Sequence, residues 1–293
     1  MPSVIEPLLN AIAASPFRVA PEAEESLAAV VAERRVTLEF VDHIETYAEF
    51  LPAKSLVRLG TPFLEVLWAS SYSFIVIFDE YEQANKRKDE YFHVGASPRT
   101  SAAYTLHRRL LEAHVAKARA PWPLPDLKPV RFPEPNTDGH VANELFLTAV
   151  SWIIHHEIAH CRLDHEELTV NSVRQEADAD RAATDWVCHD NAESGPLFKR
   201  ALGIACANLH LLAYDLQQNR VHWTTHPPTY ERLLANLDRI GFEENHKVYA
   251  FGFVLLEILL AHHGINVEVD RAVSFHEMLA TACFTVRSLG AAS

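Results

Sequence analysis

Several common features are missing from this sequence, and each absence narrows the field. The four cysteines, Cys161, Cys188, Cys206 and Cys283, show no C-x-x-C spacing. The first sixteen residues lack a basic stretch and carry Glu6 with several prolines, which reads against a secretory leader. Together these point to a cytoplasmic protein with free, mostly buried thiols. Basic charge is also short, with 26 Lys and Arg against 39 Asp and Glu, a net charge of -13. That balance repels a polyanion, and the runs Lys86-Arg87-Lys88 and Arg108-Arg109 are brief and interleaved with acids. No nucleic acid partner is expected. Long apolar runs are absent too. Residues 66–78 are uncharged for 13 positions, and residues 248–261 cover 14 with Glu257 inside. A spanning helix needs about 20, so both read as core helices, and no integral membrane insertion is expected. Strand signals are sparse, at residues 91–94 and 128–132 only, and no internal repeat is visible.

What remains is 293 residues, 48% hydrophobic and 22% charged, enough for one large domain or two modest ones. Pro21-Glu22-Ala23-Glu24-Glu25-Ser26 opens a helix, with proline in the first turn and acids at the positive end of the dipole. An apolar run over 56–84 is broken by Gly60 and Pro62, and 104–119 is helical with Leu106, Leu110 and His114 along one side. Residues 121–135 hold six prolines, which forbid a helix interior. They divide an N-terminal helical region, 1–120, from a second unit, 136–293. Beyond them, helices are predicted over 143–161, 173–188, 197–214 and 248–262, the last long one. The expected fold is mainly α, with a small sheet.

The chemistry lies in His156-Glu157-Ile158-Ala159-His160. On a helix, residues four apart share a face about 6 Å along the axis, so the two imidazoles can bind one zinc ion together. Glu157, turned around the helix, stays near an open coordination position and can take a proton from a metal-bound water. The pattern needs a third ligand to carry weight. Glu176 supplies one, sixteen residues after His160 on the next predicted helix. Asp180, one turn further on, is placed to accept the other ring N–H of a ligating histidine. His155 reads as packed on the core or bonded to backbone, and Cys161 as a small buried residue. His165 follows without the glycine of the pattern H-E-x-x-H-x-x-G-x-x-H, so it reads as a polar neighbour of the site.

The H-E-x-x-H pattern, the E-x-x-A-D of Glu176 to Asp180, and the H-P-x-x-x-x-R of His226 to Arg232 together resemble the glutamate-ligand zincins. Within these the set is similar to the HtpX-like and CAAX-endopeptidase group. The chain length, the doubled His155-His156 and the missing transmembrane helices bring it closer to the Lit-type phage-exclusion peptidases. The resemblance is specific over residues 145–233 and fades over the first 120. It implies a zincin-like metallopeptidase domain at 136–293, one zinc ion on His156, His160 and Glu176, and Glu157 as base. It makes His226 the stabiliser of the transition state. Arg232 either anchors that loop or meets a substrate carboxylate. The resemblance further implies a protein or peptide substrate, with a host translation factor as a candidate in phage exclusion or toxin-like defence. Zincin clefts take an extended peptide beside an edge strand, and residues 121–135 are a candidate border for one. From the residues alone a second reading stays open: a zinc-binding helical protein without proteolysis, acting as a regulatory or interaction module.

Overall fold

The computed structural model describes residues 3–89, 92–165, 172–188, 194–220 and 226–290. Two short helices lead, α1 (Leu9–Arg18) and α2 (Glu24–Arg34), followed by strands β1 (Thr37–Val41), β2 (Ala48–Leu51) and β3 (Leu56–Gly60). Then come α3 (Thr61–Arg87), α4 (Pro98–Val115), α5 (Asp138–Arg162), α6 (Ser172–Val187) and α7 (Ser194–Gln217). The chain closes with α8 (Thr229–Ile240), α9 (Lys247–His262) and α10 (Phe275–Gly290). The mainly helical fold with a small sheet is as the sequence leads one to expect.

The details depart from expectation where local signals are weak. Among the described residues the sheet is built entirely before residue 61, in the order β1-β3-β2. β3 runs parallel to β1 and antiparallel to β2, and Arg58 on β3 reaches Glu39 on one side and Glu49 on the other, at 3.0 and 3.3 Å. The apolar run from residue 56 is therefore a strand that becomes a helix at Thr61, with Pro62 tolerated in its first turn. Residues 128–132 form no strand; Val130 and Phe132 are exposed there. Tyr91, in the other expected strand, lies outside the described residues. The helix over 104–119 begins earlier, where Ser97 caps the first turn and Pro98 follows, and stops at Val115. α10 follows α9, so 248–262 is not the last long helix.

α3, α5, α7 and α9 form the middle of the molecule, and residues from Ile5 to Val286 share one hydrophobic core. α3 alone, among the described residues, is long and apolar enough to cross a membrane, yet 89% of its apolar window is buried inside the fold. α5 is the axis of the fold. Thr137 caps its N-terminus by accepting the His140 N–H, Asp138 suits its first turn, and residues 145–159 are buried almost without a break. A helix apolar all round belongs in a core. α7 crosses α5 so closely at Gly203 that a methyl group there would collide with Thr148. On another side, His155 Nε2 lies 3.2 Å from the Pro16 carbonyl oxygen and Ser151 Oγ donates to that of Ser15. Both are carbonyls of α1, so His155 has a backbone partner.

Candidate metal centre

The last two turns of α5 carry His156 and His160 on one side, and α6 lies against that side. Trp152 Nε1 donates to Thr184 Oγ1 at 3.0 Å, and Thr184 in turn donates to Asn236 on α8 at 3.0 Å. These bonds set the register of the three helices. In that register Glu176 faces the imidazoles. His156 Nε2 lies 3.1 Å from His160 Nε2 and 3.1 Å from Glu176 Oε2, and His160 Nε2 lies 3.5 Å from Glu176 Oε1. Among the described residues this is the one cluster of three whose donor atoms converge closely enough to hold an ion.

The donor chemistry fits a cation. Asp180 Oδ1 sits 2.8 Å from His156 Nδ1, and a carboxylate there accepts a hydrogen bond from Nδ1–H, so that the neutral ring carries its lone pair on Nε2. With both rings neutral, three electron-rich groups converge in a buried place, and such crowding is costly without a positive charge among them; with no ion present a proton on His156 supplies that charge. Glu176 Oε2 has no hydrogen-bond donor of its own. The 3.1 to 3.5 Å separations also match the edges of a tetrahedron with bonds of 2.0–2.1 Å, about 3.3–3.4 Å.

The electrostatics show how strongly the groups are coupled. Burial pushes the Glu176 carboxyl up, but the neighbouring imidazoles of His156, His226 and His160 outweigh it and hold it at about 2. Burial pushes His156 down, and Asp180 and Glu176 more than reverse this, to about 10. His160, driven mainly by burial, falls to about 4. Glu157 is pushed up to about 7, first by burial, against the lowering influence of His156, Arg232 and the Phe50 backbone N–H.

That last contact was not legible in the sequence. β2 is an edge strand whose register pairs Glu49 with Arg58, so Phe50, one residue on, turns its N–H away from β3 and towards Glu157. Four residues without clear alternation gave no signal for it. Residues 121–135 do not border this place. Trp122 lies tilted against Trp68, ring centres 6.0 Å apart, and Val130 accepts from Asn143, about 20 Å along α5 from His156 at 1.5 Å per residue.

His226, exposed over 46% of its side chain, places Nε2 3.5 Å from Glu176 Oε1. Pro228, two residues on, is the N-cap of α8, and Thr229 donates to the buried Asp215 of α7. Arg232, one turn into α8, is buried and gives both Nε and Nη2 to Asp180, each at 2.7 Å. Arg232 therefore ties the start of α8 to Asp180 of α6, which fits an anchoring role. Cys161 is partly exposed rather than buried, whereas Cys206 and Cys283 are buried.

The profile of the Peptidase U49 family matches residues 57–252. The chain is 32% identical over 276 residues to the "Cell death peptidase" of Escherichia coli (strain K12), covering 92% of this chain and 93% of that protein. The similarity therefore reaches well into the first 120 residues, beyond the span expected from the motifs. No solved structure matches the chain.

Proposed function

The chain belongs to the Peptidase U49 family and is a peptidase; on that premise we propose that it is a zinc-dependent endopeptidase of the H-E-x-x-H glutamate-ligand type. The observation that supports this is the convergence of His156, His160 and Glu176 beside the buried carboxyl of Glu157. The three would hold the ion and leave a position open, as catalytic rather than structural sites do. When bound, zinc supplies a Lewis acid that lowers the pKa of a water to about 7 and polarises the scissile carbonyl.

The protein's own groups do the rest. Glu157 takes the proton of the attacking water and delivers it to the leaving amine, and its displacement to about 7 suits a group that must do both. His226 donates to the oxygen on which negative charge develops. Asp180 fixes the ring of His156, and Arg232 fixes Asp180. An extended peptide laid along β2, the edge strand nearest Glu157, would pass this centre. We take the substrate to be a cytosolic host protein, with a translation factor as first candidate. The setting we propose is phage exclusion or a toxin-like role, in keeping with the name of the Escherichia coli relative.

Zinc per chain, measured by mass spectrometry on untagged protein, tests the centre. Wild type is expected to hold near one ion, with Glu176→Ala and His160→Ala holding far less. No zinc in wild type after exposure to micromolar metal would overturn the proposal. His226→Ala separates two roles for that residue. As an oxyanion donor its loss lowers kcat by about 10²–10³-fold with zinc content and KM near wild type. Loss of the metal instead would show it to be a ligand.

A further inference from the structure

His160 has a second partner, and the end of its helix puts it there. α5 stops at Arg162. Asp164 then takes the left-handed conformation, φ 51, which aspartate adopts more readily than most residues. The Asp164 N–H donates to the Cys161 carbonyl at 3.4 Å, and the His165 N–H donates to the His160 carbonyl at 3.0 Å. This pair of bonds is the Schellman arrangement, in which the second residue past the cap is folded back over the residue five before it. Usually two apolar side chains meet there. Here two imidazoles do, with His160 Nδ1 and His165 Nδ1 3.0 Å apart and rings 5.1 Å between centres. Arg34 holds the turn from outside, its Nη1 and Nη2 at 2.6 and 3.4 Å from the two oxygens of Asp164.

The geometry points to His165 as a positioning residue for His160, acting as a neutral acceptor for its Nδ1 proton; this rests on the metal reading above. One hydrogen can lie between two Nδ1 atoms. If His160 donates it, His160 Nε2 is a lone pair turned toward Glu176 and His156, ready for an ion. If His165 donates it, the His160 proton moves to Nε2 and blocks that place. The two histidine ligands thus have unlike supports. His156 leans on a carboxylate that can only accept, whereas His160 leans on a ring able to do either, so only a His165 with its own proton on Nε2 serves.

The test is the zinc dissociation constant of His165→Leu and His165→Asn, measured by chelator competition on protein whose apo melting temperature is also recorded. Asparagine keeps an acceptor near the position of Nδ1, and leucine removes it. Leucine is expected to weaken zinc binding by about 10–100-fold, the usual cost of losing a ligand's outer partner, and asparagine to recover most of that. Leucine within twofold of wild type overturns the inference. So does asparagine as weak as leucine when both apo proteins melt like wild type, since His165 would then be a ligand itself. Absence of zinc from wild type would sink the metal reading first, and this one with it.

Discussion

Glu157→Gln is expected to keep close to one zinc per chain and to lose at least about 10³-fold in peptide cleavage. Glutamine has the shape of the glutamate it replaces and still offers an oxygen toward the Phe50 N–H. It cannot take a proton from water, and general-base catalysis contributes about 10²–10⁴-fold on its own. The two histidine ligands on α5 lie about 100° (His156) and about 60° (His160) around the helix from Glu157, so metal content should be untouched. Cleavage within tenfold of wild type would remove Glu157 from the chemistry. Loss of zinc would mean that the carboxyl has been holding the centre together rather than reacting at it.

Asp180→Ala is expected to be the most damaging single change to stability among the residues around the site. It takes the acceptor from His156 and leaves the Arg232 guanidinium, with 9% of its side chain exposed, without the carboxylate that receives two of its hydrogen bonds. Removing one partner of such a buried pair costs about 3–5 kcal/mol, a fall in melting temperature on the order of ten degrees for a chain of this size. Zinc binding should weaken as well, by about 10–100-fold. The double variant Asp180→Leu with Arg232→Met separates the two effects. Replacing the whole pair by apolar groups should restore much of the stability, and zinc affinity should stay low because His156 still lacks its acceptor. Recovery of both together would mean that Asp180 serves the metal only through the fold.

How much of this could be read beforehand depends on whether a feature is local. The spacing of His156 and His160, and of Glu176 and Asp180, is fixed by helical periodicity, so the sequence is enough to put each pair on one face. That the two faces meet follows from Trp152, Thr184 and Asn236, whose bonds no periodicity announces. The sheet escaped for a related reason. Its strands have four or five residues each, and β1 pairs directly with β3, skipping β2, the strand that follows it on the chain, so neighbours on the chain are not all neighbours in space. α8 shows the limit differently. His226 and Arg232 stood out as a motif, yet only the structure shows Arg232 turned inward to Asp180. The outer partner of His160 was within reach: once a helix is known to end at residue 162, its C-cap pattern brings residue 165 back over residue 160.

The span matched by the family profile, residues 57–252, is not a unit that could be lifted out and expected to work. Three supports of the site come from before it. Pro16 offers its carbonyl to His155, Arg34 grips the turn that carries His165, and β2 turns the Phe50 N–H toward Glu157. A fragment trimmed to that span would keep every proposed ligand and lose the braces behind them. Insertions and fusions are therefore better placed away from the first fifty residues, which act as the back plate of the centre.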